Sequence, residues 1–447
     1  MKKTTWIWLL TLALAARAAD VAQTNSPAGS PRPSDSSRRS AAAAEATAGT
    51  NAPPAAKTEA ATIPDATHKP VFITNTVTIA GQRVTYVAET GMLPILKPDG
   101  TSRASVFYVA YTRQDKSEIG PPSLRSGAVA PKLQAEAENR KSEMEQRPVT
   151  FCFNGGPGSS SVWLHLGALG PRRVKMNADG TLPPPPFGLV DNAYSILDGS
   201  DLVFIDPVAT GFSRVSKDEK PDQFFSDPAD LDSVGEFIRL WTTRHERWLS
   251  PKYLCGESYG VFRAAGLADH LRSRYGMYLN GLILLSGVLD FATIWNNPGN
   301  DVPYPLYLPA YTAAAQFHHK LPADLQSDLP RALAEARAFA RGEYASALPQ
   351  GDALSAEEHK KIVAGLARLT GLEPQVIEDN HLRIDPGVFR KQLLHDRGLI
   401  LGAYDARITG RDDDPAASYP DFDPADAAVR GPFSAAINNY VRGELKF

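Results

Sequence analysis

Five residues, Gly256-Glu257-Ser258-Tyr259-Gly260, set a serine midway between two glycines. A tight strand-to-helix turn leaves no room for side chains around its central residue, and glycine supplies none. Such a turn holds Ser258 in a strained conformation with its hydroxyl presented. The helix N-terminus that follows favours negative charge developing nearby. The predicted chemistry is attack on a carbonyl with an acyl group passing to Ser258. The context fits: the apolar run Tyr253-Leu254-Cys255 precedes the turn, and a helical pattern runs from Gly260 to Tyr275.

A second element is Asn154-Gly155-Gly156-Pro157-Gly158-Ser159-Ser160-Ser161, placed directly after an apolar run. Backbone amides in a glycine-rich turn can converge on one spot, as oxyanion stabilisation requires. A phosphate-binding loop is the competing reading. No Lys follows at Walker spacing and G-x-G-x-x-G is not matched, so that reading is set aside. The histidines give less. His165, His245, His270, His318-His319, His359, His381 and His395 fall in helical or loop contexts, and none follows a strand in a Gly-rich turn. His318-His319 lacks carboxylates or cysteines at ligand spacing, so no metal is expected. No cofactor is expected either.

Strands and helices must hold these residues in place. Val71–Val87 and Ser105–Thr112 are rich in β-branched and aromatic residues, with turns at Gly81-Gln82 and Asp99-Gly100. They predict an antiparallel start to a sheet. Four compact apolar runs follow, within 148–153, 201–205, 253–255 and 282–285. Continuous apolar runs predict strands covered on both faces. Helical patterns lie between them, at Leu231–Leu249 and Gly260–Tyr275. The alternation predicts an α/β fold with a mostly parallel sheet. After Asp290 no further strand is expected. Residues 310–408 read as amphipathic helices, and 290–430 as a helical cap inserted over the sheet. Phe433–Leu445 reads as one more helix.

NGGPGSSS, then Gly170-Pro171, then Asp206-Pro207-Val208-Ala209-Thr210-Gly211-Phe212-Ser213, then GESYG resemble the serine carboxypeptidase family in order and spacing. The resemblance covers about residues 75–290, and the remainder only vaguely. It implies an α/β-hydrolase fold over 70–447. It implies a serine-type carboxypeptidase that removes the C-terminal residue of a peptide with a free C-terminus. It also implies roles: Ser258 as nucleophile, the amides of Gly156 and Tyr259 as oxyanion hole, and Asn154, Gly155 and Glu257 as the grip on the substrate carboxylate. An acyltransferase or esterase on the same scaffold is an alternative. A catalytically incomplete peptide-binding fragment is another.

The pattern departs from the family at two points. A second Glu is often paired with the elbow Glu, and here that place is Ala168. Two close carboxyls share a proton, whereas Glu257 alone has no such partner. In addition, a hydrolase's acid and base follow the nucleophile in the order Ser, Asp or Glu, His. No strand-end Gly-Asp region or Gly-His turn occurs between Asp290 and Phe447. The nearest substitutes are Asp385 with His381 and Asp405 with His395. The acid and base are therefore expected beyond residue 447, with the catalytic domain incomplete at its C-terminus. Cys152 and Cys255 end two strands that this fold makes neighbours. Adjacent parallel strands fit disulfide geometry poorly, so two buried thiols are expected.

The bulk features bound the rest. A chain of 447 residues with 43% hydrophobic residues can build one large domain with an insertion. A formal net charge of −3 argues against nucleic acid as a partner. Lys2-Lys3, an apolar run from Trp6 to Ala15 and small residues at 16–19 predict a cleaved leader over 1–19. The run is short for a bilayer span, so no stable membrane span is expected after cleavage. The expected destination is periplasmic or secreted. Residues 20–66 are Ala/Ser/Pro-rich and carry too few large apolar groups to order, so a disordered segment is predicted there.

Overall fold

The computed structural model describes residues 69–114 and 146–447. The leader expected at 1–19, the segment 20–66 and most of the polar stretch 115–147 lie outside the described residues. Strand β1 (Val71–Ile79) turns back into β2 (Gln82–Leu96), with Ile79 opposite Gln82. The two turn residues, Ala80 and Gly81, both have positive φ, the conformation that matches the twist of a two-residue hairpin. β3 (Ser102–Gln114) pairs antiparallel with β2.

The chain then lays down β4 (Val149–Phe153), a small β5/β6 hairpin (Arg172–Val174, Leu189–Asp191), β7 (Asp201–Ile205), β8 (Arg214–Val215), β9 (Lys252–Glu257) and β10 (Gly281–Leu285). The large sheet runs β1-β2-β3-β7-β4-β9-β10, with β8 on β3. From β7 through β4 and β9 to β10 the pairings are parallel, while β3 meets β7 antiparallel. Every residue of β4 and of β7 is buried, as continuous apolar runs predict.

Helices cover both faces. On one side α1 (Asp227–Arg244) and α2 (Tyr259–Tyr275) bring Phe237, Trp241, Leu267 and Leu271 against Phe151, Val203 and Leu254. On the other, Leu164, Leu166, Phe433 and Tyr440 pack on Cys152, Phe204 and Cys255.

β10 departs from the expectation of two covered faces. Leu282 is 38% exposed and Leu284 45%, and among the described residues no strand pairs with its outer edge. An apolar run specifies a strand, but it does not specify what lies over it.

Beyond residue 300 the chain is mainly helical: α3 (Pro303–Phe317), α4 (Leu329–Phe339), α5 (Ala356–Thr370) and α6 (Pro386–Gln392). These helices share their own core, built on Leu308, Ala336, Leu366 and Phe389. α5 starts at a capping box, Ser355 with Glu358, and stops at Gly371 in the left-handed region. Strands do not cease after Asp290: Leu399–Leu401 and Thr409–Arg411 form a short antiparallel pair, β11 and β12. The last helix, α7 (Pro424–Asn439), begins earlier than Phe433, because Asp423 caps it and Pro424 takes its first turn. A wider turn, Tyr440–Glu444, continues it.

Candidate active site

The C-terminal ends of β4, β9 and β10 lie at one edge of the parallel array, where open α/β sheets bind ligands. β9 ends at Glu257 and α2 begins at Tyr259, so Ser258 is the turn itself. Its φ of 60° and ψ of −126° lie in a region that costs a non-glycine residue strain. Two backbone bonds hold it there: Ser258 N–H donates to Leu285 O at 3.0 Å, and Val261 N–H donates to Ser258 O at 2.9 Å. The flanking glycines are sterically required. A Cβ on Gly256 would stand 2.0 Å from Gly260 O. Ser258 is only 2% exposed. The turn alone predicts an open hydroxyl, but here the glycine loop packs directly on the elbow. A Cβ on Gly155 would lie 2.3 Å from Tyr259 N.

That contact brings all six singled-out residues together. Gly155 sits against the Tyr259 amide, and Gly156 follows it at φ 112°, which glycine adopts freely. Asn154, fully buried, reaches across from β4: its Nδ2 donates to Glu257 Oε2 at 2.9 Å and its Oδ1 accepts the Leu164 amide at 3.0 Å. Burial raises the Glu257 carboxyl above its ordinary range, against the opposing pull of Asn154 and the Gly155 amide. Ala168 leaves Glu257 without a second carboxyl to share a proton with. Desolvation raises the group without that partner.

Sequence reasoning missed the supports. Arg263, 2% exposed on α2, donates through Nε and Nη2 to Asp230 of α1 at 2.6 and 3.1 Å. Its Nη1 donates to Asn154 O at 2.8 Å, and its guanidinium lies over the Phe153 and Tyr259 rings. Arg at the fifth position of an elbow helix carries no local signal for a bond to a loop 109 residues earlier. Rings line one side: Tyr259–Phe262 at 5.4 Å, Phe262–Phe291 at 6.3 Å and Phe291–Trp295 at 5.1 Å. Tyr404, after β11, has its phenol pushed up to about 12 by burial first, then by the carboxylates of Asp426, Asp423 and Glu257.

Among the described residues no histidine hydrogen-bonds Ser258. His165 is buried, bonded to Tyr111 at 2.6 Å and stacked on Phe204, and burial lowers it to about 3. His245 bonds Glu89, and His318 faces Ala406 O. The substitute pairs do not form: Asp385 caps α6 and accepts from Tyr419, while Asp405 pairs with Arg407. Cys152 and Cys255 are register partners across β4 and β9, buried and free. Burial, then the neighbouring thiol, pushes Cys152 up. Among the described residues no set of three His, Cys, Asp or Glu side chains suits a metal, and no helix is long and apolar enough to cross a membrane.

A parallel β7-β4-β9-β10 array with helices on both faces and a serine on the β9–α2 turn defines an α/β hydrolase. Residues 135–305 match the family model for serine carboxypeptidase. Serine carboxypeptidase-like 13 of Arabidopsis thaliana is 31% identical over 164 residues, which is 36% of this chain and 36% of the relative. The vitellogenic carboxypeptidase of Aedes aegypti is 30% identical over 177 residues, 38% of this chain and 33% of the relative. The match thus spans about a third of these curated relatives. A solved structure, a prohormone-processing carboxypeptidase of Saccharomyces cerevisiae, aligns at 20% identity and a TM-score of 0.33, covering 64% of this chain and 53% of its own.

Proposed function

We propose that this chain carries the nucleophile and substrate grip of a serine-type carboxypeptidase. One observation carries the reading: the buried Asn154–Glu257 pair lies directly beside Ser258. Burial raises the Glu257 carboxyl above its ordinary range, and in its protonated form it can donate to a peptide's terminal carboxylate, with Asn154 beside it. That grip would place the last peptide carbonyl over Ser258. The Ser258 oxygen attacks it, and the amides of Gly156 and Tyr259 receive the oxyanion. The bond to the terminal residue breaks: the acyl group stays on Ser258, and the terminal amino acid leaves with its amine nitrogen carrying the proton that the serine hydroxyl gave up. The charged, apolar and small-residue sequence pattern of residues 1–19 supports a secreted or periplasmic setting.

A second reading, peptide binding without turnover, is favoured by the lack of any histidine bonded to Ser258 among the described residues. Without a base the hydroxyl is a poor nucleophile. Two measurements on the 447-residue protein separate these readings. Fluorescence anisotropy compares a labelled peptide with a free and an amidated C-terminus; preference for the free form supports the grip, and equal affinity removes it. Release of the terminal amino acid above a Ser258→Ala control supports the enzyme. Binding of the free form without release supports the second reading.

A further inference from the structure

The motif Asp206–Ser213 has no part in the chemistry above, yet it lies beside the glycine loop. Asp206 follows β7 and is 8% exposed. Its Oδ1 accepts the Ser161 amide at 2.9 Å, and its Oδ2 accepts the Phe212 amide at 3.2 Å. One carboxylate thus ties the far end of the 154–161 loop to its own return loop. That return loop is itself fixed. Ser213 Oγ donates to Asp206 O at 2.6 Å and accepts the Phe107 amide of β3 at 2.8 Å. The fit is close: Gly211 has φ 47°, and a Cβ there would stand 1.9 Å from Asp206 Oδ2 and 2.9 Å from Ser160 Cβ.

We infer that Asp206 is the positioning residue of the oxyanion loop, holding the Gly156 amide at the elbow through Ser161. The inference rests on the proposed role of Gly156. The loop has two anchors. Asn154 fixes its start against Glu257, Leu164 and Arg263. Ser161 fixes its end, with its amide on Asp206 and its hydroxyl on Cys152 O and Ile205 O. Between them Ser159 N–H closes the turn on Gly155 O at 3.1 Å. With only the first anchor, Gly155 and Gly156 can pivot about Asn154. A donor must stand about 2.7–3.1 Å from the developing oxyanion, so a shift of a few tenths of an ångström matters. Glycine at 211 lets the carboxylate approach both amides. Burial pushes the Asp206 carboxyl up to about 6, against the pull of the two amides and Arg214.

The test uses the full chain and four variants: Asp206→Ala, Asp206→Asn, Gly211→Ala and, as a buried carboxylate paired with Lys391 instead of the loop, Asp412→Ala. A fluorophosphonate phosphonylates Ser258 with loss of fluoride, and its kinetics separate affinity from the chemical step. Asp206→Ala and Gly211→Ala are expected to slow the chemical step roughly 10–100-fold, as displaced oxyanion donors do, with affinity within about threefold. Asp206→Asn keeps an oxygen for Ser161 and should recover much of the rate. Asp412→Ala should lose melting temperature without slowing the step. Amide exchange across Gly155–Ser161 should rise in Asp206→Ala. The inference is overturned if the rate and the exchange are unchanged, if affinity falls along with the rate, or if Asp412→Ala slows phosphonylation equally. If the parent protein shows no Ser258 labelling, the enzyme reading fails, and the exchange measurement alone decides the clasp.

Discussion

Replacing Arg263 with Met removes one guanidinium from the centre of the site's support. It deletes both bonds to Asp230, the bond to Asn154 O, and the cation–ring contacts at 5.4 and 5.2 Å. Asp230 is 8% exposed and would be left buried without its guanidinium partner. Breaking a buried pair this way costs about 3–5 kcal/mol, because the remaining ion stays desolvated. Replacing both partners, Asp230→Leu with Arg263→Met, removes that stranded carboxyl, so the double variant should lose less than the sum of the singles. A coupling of about 2–3 kcal/mol is expected, the range for residues sharing one network. The assay is urea unfolding of the four proteins, with each loss read from the transition midpoint at unchanged slope. Single losses below about 1 kcal/mol, or strict additivity, would refute the view that this pair is a desolvated unit bracing the loop.

Four other outcomes are expected. Glu257→Gln should weaken binding of a free-carboxylate peptide by about 1–3 kcal/mol while leaving the amidated peptide unchanged; anisotropy titration checks it, and equal weakening of both would point to a disturbed elbow. The stability of the fold should depend on pH through Asp206. Its folded value of about 6 lies above the ordinary 3.8, so its contribution is complete below 3.8 and is lost as pH rises through 6. That amounts to about 3 kcal/mol, and Asp206→Asn should flatten the urea midpoint across that window. Leu282→Lys and Leu284→Lys should change stability by no more than about 0.5 kcal/mol and reduce self-association at the open β10 edge, as seen by light scattering. Leu254→Ala, fully buried on the next strand, should cost about 2–5 kcal/mol.

The elbow and the glycine loop were legible because their chemistry forces residue types at fixed local spacing. A Cβ on Gly256 would stand 2.0 Å from Gly260 O, a constraint that four residues of sequence encode. The Asp206 motif was legible as a pattern but not as a device, since its partner Ser161 lies 45 residues away and contributes only a backbone amide. Any residue at 161 except proline presents that donor, so nothing in the side chain announces the bond. The same limit hid Arg263, whose target is a carbonyl. The β10 edge, unpaired among the described residues, was illegible for another reason. Leu282–Leu285 is as apolar as the buried runs, because apolar content records what a strand can lie against, not what is present.

The supports of the loop are polar, although an apolar pocket would cost less desolvation. The glycine loop explains the choice. Gly155 and Gly156 offer no side chain to pack, and any Cβ at 155 collides with the elbow. Apolar packing therefore has nothing to grip there, and only backbone amides and carbonyls remain as handles. Those groups need partners when buried, and a carboxylate or guanidinium supplies bonds roughly twice as strong as a neutral group. Each support thus meets the loop at a backbone atom: Asp206 at the Ser161 amide and Arg263 at the Asn154 carbonyl. A loop that must bring its backbone against the nucleophile is in this way committed to buried charges around it, and such charges are strongly destabilising when half-removed.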